Sequence, residues 1–112
     1  MDNKTSVLTK ALLNATKNMG ISQTYLGNII GKNKRELICD GIHPDSKAGE
    51  LSLMLIRCYR SLYVLVGDNS EQISHWMQTH NKGTHGTPLR QISRIDGLVH
   101  ITEYLDAIRG KS

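Results

Sequence analysis

The last third of the chain carries the segments Gly67-Asp68, Trp76-Met77, Gly86-Thr87-Pro88-Leu89, Gly97-Leu98 and Tyr104-Leu105-Asp106-Ala107, in that order and at close intervals. Glycine often ends a helix, aspartate and threonine often begin one, and proline is accepted in the first helical turn. The order therefore predicts three short helices. They begin at Asp68, which pairs with Glu71 as a capping box, at Thr87, and just after Gly97.

Apolar residues at helical spacing predict the faces that these three helices bury. Trp76 is assigned to the core, although a sole tryptophan is also a common hot spot for a protein partner. The predicted buried residues are Ile73, Trp76 and Met77, then Leu89, Ile92 and Ile95, and finally Leu98, Ile101, Leu105 and Ile108.

Four more helices are predicted upstream, and no segment alternates with a period of two for long enough to indicate a strand. Gly20 ends the first helix, Ser22 caps a second from Gln23 to Ile30, and Asn33 with Glu36 starts a short third as a capping box. A loop over residues 42–49 precedes the longest helix. The apolar stripes are Leu8, Leu12, Ala15 and Met19 on the first helix, and Leu51, Met54, Leu55, Cys58, Leu62 and Leu65 on the longest, which Gly67 stops.

The chain is thus predicted to be all-α with about seven helices. A length of 112 residues is about that of one ordinary domain. The net charge of +4 is compatible with an anionic partner without requiring one. Residues 1–49 carry seven Lys and Arg against four Asp and Glu, whereas the remainder carries seven against six. Any nucleic-acid surface is therefore expected in the front half.

The sequence contains no pattern typical of an enzyme or a metal site. Cys39 and Cys58 form no CxxC pair, and His75, His80 and His85 are spaced by five, which places them off a common helix face. No catalytic serine motif or phosphate-binding loop is found. We expect no enzymatic activity and no cofactor. The first residues lack the apolar core of a signal peptide, and no apolar run spans a membrane, so a cytoplasmic protein is expected.

The segment 23–37 has the spacing of a helix-turn-helix, with Gly31 at the turn and Gly27 where the second helix approaches. Asp40 stands where such a unit buries a last apolar residue, so Ile38 or Ile42 is expected to take that role. The alternative is a helical hairpin with a solvated basic turn. The predicted shared core of the two helices is Leu26, Ile30 and Leu37.

The motifs from about Leu51 to the end resemble the toxin-binding domain of the Xre/MbcA/ParS antitoxin family. In that family a glycine-aspartate turn, a tryptophan helix, a Gly-x-Pro-Leu turn and a glycine-led terminal helix form a small helical unit. Residues 20–41 are similar to Xre-like DNA readers. The resemblance implies two units, a helix-turn-helix unit over 1–49 packed on a toxin-binding unit over 50–112.

The resemblance to Xre-like readers also implies which residues contact operator DNA. In such readers, the residue in the position of Gln23 takes part in a contact with a DNA phosphate. Side chains at the start of the second helix reach the base edges. Arginine reads guanine and asparagine reads adenine with paired hydrogen bonds. The implied DNA-binding residues are Gln23, Lys32, Asn33, Lys34 and Arg35.

For the C-terminal unit, the resemblance implies a RES-type toxin as partner, an enzyme that consumes NAD or transfers ADP-ribose from it. The C-terminal region of such antitoxins covers the active-site cleft of the toxin. The alternative here is a solvated terminus without a role. The implied toxin-binding residues are Tyr104, Asp106, Arg109, Gly110 and Lys111.

The expected function is an antitoxin of a type II toxin–antitoxin system, which blocks its toxin and represses its own operon as a homodimer. A stand-alone helix-turn-helix regulator without a toxin is the first alternative. A pure protein inhibitor that has lost DNA binding is the second.

Overall fold

Residues 1–110 are described by a computed structural model, and within them the chain forms seven α-helices and no strand. The all-α prediction is confirmed. None of these helices is both long and apolar enough to cross a bilayer. The helices are α1 (Asn3–Asn18), α2 (Gln23–Ile30), α3 (Lys34–Cys39), α4 (Lys47–Val66), α5 (Ser70–Gln78), α6 (Pro88–Gln91) and α7 (Ile95–Ile108).

Helix α4 lies at the centre of the fold and packs against both α1 and α7. Leu55, Cys58 and Leu62 are buried as predicted, whereas Leu65, near the end of α4, is 38% exposed. Ser52 and Ser61 are also fully buried, where small side chains allow the neighbouring helices to approach. The buried apolar residues of α1, α4 and α7 form one continuous core.

The predicted caps of α2 and α3 are confirmed. The Tyr25 amide donates to Ser22 Oγ at 3.1 Å. The Glu36 amide donates to Asn33 Oδ1 at 2.8 Å, and the Asn33 amide donates to the Glu36 carboxylate at 3.1 Å. Because this capping box satisfies backbone donors in both directions, it fixes where the short helix α3 begins.

The predicted start of α5 was wrong by one residue. Asn69, not Asp68, is the N-cap, and its Oδ1 accepts the amides of Glu71 and Gln72 at 2.9 and 3.4 Å. Asparagine and aspartate are about equally good caps, so residue type alone did not distinguish the two positions. The loop predicted over 42–49 is also shorter, because Ser46 caps α4.

The predicted boundary between α6 and α7 was wrong as well. Gly97 lies in the first turn of α7 instead of preceding it. A Cβ at this position would collide with the carbonyl group of Gln91, so the glycine allows α6 and α7 to meet closely. Ile95 and Ile108 were predicted to be buried but are 68% and 49% exposed.

A buried hydrogen bond ties the segment after α3 to the first helix. Thr9 Oγ1 accepts the Ile42 amide at 2.8 Å and donates to the Thr5 carbonyl at 2.7 Å. Thr9 and Ile42 are both buried, so no water is available to replace this bond. A second link joins the front and rear of the chain, since the Tyr25 hydroxyl donates to the carbonyl of Leu89.

Replacing Thr9 by valine keeps the shape of the side chain but leaves the buried Ile42 amide without an acceptor. We expect Thr9→Val to lower the free energy of unfolding by about 1–3 kcal/mol, measured by urea denaturation. The matched control is Thr16→Val, since the Thr16 hydroxyl bonds only to carbonyls of its own helix and its loss orphans no donor. Equal stability of the two variants would contradict the structural role of Thr9.

Candidate functional site

The residues predicted to contact DNA lie around the turn between α2 and α3. Gln23 is the exposed first residue of α2, and Lys34 and Arg35 are exposed in the first turn of α3. Lys32 lies in the turn, with Nζ 3.9 Å from the Glu36 carboxylate. Lys34 and Arg35 form no ion pair within residues 1–110, so both charges face the solvent.

The packing of α2 and α3 agrees with helix-turn-helix spacing. Leu26, Ile30 and Leu37 are all buried, as predicted. A Cβ at Gly27 would collide with the Lys32 carbonyl, which explains the glycine at this position. Of the two residues expected to complete the core, Ile42 is fully buried and Ile38 is 56% exposed.

The side chain of Asn33 already forms the N-cap of α3. Reading adenine requires both the oxygen and the nitrogen of an asparagine amide, but Asn33 Oδ1 accepts the Glu36 amide in the capping box. Paired base reading by Asn33 would therefore cost α3 its N-cap. The capping box leaves Lys34 and Arg35 as the exposed side chains at the start of α3.

In the C-terminal part, Asp106 points inward and forms an ion pair with α4. Its Oδ1 accepts Arg57 Nε at 3.1 Å, and its Oδ2 accepts Arg57 Nη2 at 2.5 Å. The Asp106 side chain is 12% exposed and that of Arg57 is 56% exposed. Paired bonds of this kind hold the guanidinium in one orientation, so the outer edge of Arg57 is presented to the solvent.

The residues behind this ion pair are apolar or weakly polar. Cys58 Sγ lies 3.2 Å from Thr102 Oγ1 at the contact between α4 and α7. Burial, opposed by the hydrogen bond to Thr102, raises the pKa of the Cys58 thiol to about 11. The thiol is therefore protonated near neutral pH, and it acts as a packing residue rather than a nucleophile.

Arg109 and Gly110 follow the last residue of α7, and Arg109 contacts α4. Arg109 Nη1 donates to Ser61 Oγ at 3.2 Å. Gly110 has a φ of +75°, a left-handed conformation that commonly follows a helix. Lys111, also predicted to bind the toxin, lies outside the described residues.

Tyr104 packs against the loop between α5 and α6 rather than beside Arg109. A Cβ at Gly83 would lie 2.6 Å from Tyr104 Cε1, so the ring needs a glycine there. The loop itself is held by Asn81, whose Oδ1 accepts the Gly83 amide at 2.7 Å, and by paired backbone bonds to Gly86. Tyr104 thus fixes this loop on α7.

The structure brings Asp106 and Arg109 to one face, where they contact Arg57 and Ser61 of α4. Sequence reasoning missed these two partners, which lie almost fifty positions earlier in the chain. Arg57 and Ser61 are four residues apart, about one helical turn, so the sequence indicated that they share a face of α4. That spacing does not reveal that α7 is the helix packed against this face. Within residues 1–110, no group of three His, Cys, Asp or Glu side chains is placed to hold a metal ion.

Residues 61–111 match the family described as the antitoxin Xre/MbcA/ParS C-terminal toxin-binding domain. This segment is therefore similar to the toxin-binding domain of that family. The resemblance stated for the C-terminal part is confirmed over residues 61–111, which include α5, α6, α7 and the end of α4. No curated protein matches the chain. The match supports an antitoxin role in general terms.

The ion pair between Asp106 and Arg57 fastens α7 to the middle of α4. We expect Asp106→Asn to lower the free energy of unfolding by about 1–2 kcal/mol, less than a fully buried pair would, because Arg57 is half exposed. Chemical denaturation measures this change. Asp68→Asn, at an exposed carboxylate, serves as the control and is expected to leave stability unchanged. Equal effects would contradict the role of the pair.

Proposed function

We propose that this protein is the antitoxin of a type II toxin–antitoxin system. In this proposal it neutralises a RES-type, NAD-consuming or ADP-ribosylating toxin by covering the active site, and it represses its own operon as a homodimer. The match of residues 61–111 to a toxin-binding domain is the observation that carries the proposal. The exposed basic turn at the start of α3 supports the DNA-binding part.

The end of α7 is the proposed toxin contact. The Arg109 side chain is held by Ser61 and is only partly buried, so its remaining donors are available to acidic groups of a partner. Asp106 is committed to Arg57 and Tyr104 to the loop at Gly83. We therefore assign direct contact to Arg109, Gly110 and Lys111, and a positioning role to Tyr104 and Asp106.

Co-expression with the protein encoded by the adjacent reading frame tests the antitoxin proposal. We expect the neighbour alone to stop growth and deplete NAD, and the pair to restore both and to co-purify. Removal of residues 109–112 is expected to abolish rescue but to spare DNA binding. The matched control is Lys34→Ala with Arg35→Ala, which is expected to rescue fully. Full rescue by the truncated protein would move the contact to helix faces, and no toxicity with no complex would contradict the proposal.

DNA recognition is proposed to begin at the first turn of α3. In helix-turn-helix proteins the first residues of the second helix reach base edges in the major groove, and a dimer binds two half-sites. Lys34 and Arg35 occupy that position and are exposed. Gln23, exposed at the start of α2, is proposed to contact a phosphate, and Lys32 is proposed to contribute charge from the turn.

Fluorescence anisotropy with a duplex from the upstream region of the operon tests this assignment. We expect Lys34→Ala with Arg35→Ala to weaken binding at least about tenfold and to reduce the slope of log K against log salt by up to about 2. Lys82→Ala with Arg90→Ala removes the same charge from exposed positions in the rear half and is expected to bind normally. Salt-independent binding by the unmodified protein would contradict operator recognition and favour a pure inhibitor.

A further inference from the structure

A groove of about 710 Å³ opens between the first half of α1 and the middle of α4. We call it the α1–α4 groove. The α1 residues that line the groove lie outside residues 61–111, the segment that matches the toxin-binding domain.

The floor and sides of the α1–α4 groove are apolar. Leu8 and Ile56 lie at its base and are almost fully buried. Val7 and Leu53 stand on opposite helices and are 60% and 51% exposed. Two large apolar side chains facing each other across an open groove indicate a surface that an apolar partner covers.

Four cations and no acidic side chain complete the lining of the groove, namely Lys4, Arg57, Arg60 and Arg109. Asp106 is not part of the lining and pairs with Arg57. The other three cations of the lining form no ion pair within residues 1–110. Because Asp106 and Ser61 hold two of the arginines in place, the partner need not order them on binding.

We propose that the α1–α4 groove binds an acidic amphipathic helix of the toxin. The occupant places apolar side chains between Val7 and Leu53 and carboxylates against the surrounding cations. This inference rests on the proposed function and extends it, because it makes α1 part of the toxin interface together with Arg109 at the end of α7.

The composition of the groove favours a protein helix over nucleic acid. A phosphate backbone is bound mainly by polar and charged groups, and it gains little from exposed Val7 and Leu53. An amphipathic helix offers apolar residues at intervals of three and four and polar residues beside them, which fits an apolar groove between cations. Arg57 and Arg60 are three residues apart on α4, a spacing that presents both to one flank of such a helix.

The test is the affinity of the purified chain for the toxin encoded by the adjacent reading frame, measured by titration calorimetry at two salt concentrations. Lys4→Glu with Arg60→Glu is expected to weaken binding at least about tenfold and to flatten its salt dependence. Lys10→Glu with Lys82→Glu makes the same charge change at exposed residues outside the groove and is expected to bind normally. Leu53→Asp, at a half-exposed position, is expected to weaken binding without changing thermal stability.

The outcomes separate this inference from the function on which it rests. If the unmodified protein binds the toxin and all variants bind equally well, the inference is wrong and the antitoxin proposal stands. If the unmodified protein binds no toxin, both are wrong. Loss of operator binding instead of toxin binding would assign the groove to DNA, and loss of dimerisation would assign it to a second copy of the chain. Either result overturns the inference.

Discussion

The fold depends on the burial of α4 between α1 and α7. Leu55 and Leu62 are fully buried on a helix whose other side chains reach both neighbours. Burying a leucine side chain contributes about 1.5–3 kcal/mol, which is large beside the net stability of about 5–15 kcal/mol of a typical domain, so truncating either residue would be strongly destabilising. On the buried face of α4 the hydroxyl-bearing residues are small, namely Ser52 and Ser61, and their hydroxyls take part in hydrogen bonds.

Because α1 and α7 both pack against α4, the N-terminal and C-terminal parts of the chain are joined through one helix. The segment after α3 is attached to α1 by the Thr9 hydrogen bond, and α2 is attached to α6 by Tyr25. Asp106 attaches α7 to α4. Both predicted interfaces are thus held on one core rather than on separate, independently packed domains. A change in the packing of α4 would reach both, whereas exposed side chains such as Lys34 act on one interface alone.

Local features of the fold could be predicted from the sequence because their causes lie within a few residues. Ser22 and the Asn33–Glu36 box bond to amides three positions away, so residue type and spacing were sufficient. Gly97 has a different cause. It is required by the carbonyl of Gln91 on the preceding helix, and this close approach exists only after the chain has folded.

Contacts between residues far apart in the sequence also limited the prediction of the candidate site. Tyr104, Asp106 and Arg109 were predicted to bind the toxin because they lie near the end of the chain, but residue type did not reveal that Asp106 faces inward. That orientation follows from Arg57, forty-nine positions earlier, whose guanidinium holds the carboxylate at 3.1 and 2.5 Å.

The inward orientation changes the charge of the surface. A solvent-facing Asp106 would place a negative charge beside Arg109 and Arg60, whereas the buried carboxylate leaves their positive charges exposed and fixes Arg57 among them. Since the field of fixed charges guides association with an oppositely charged partner, one buried aspartate makes this face of the protein more attractive to an acidic surface.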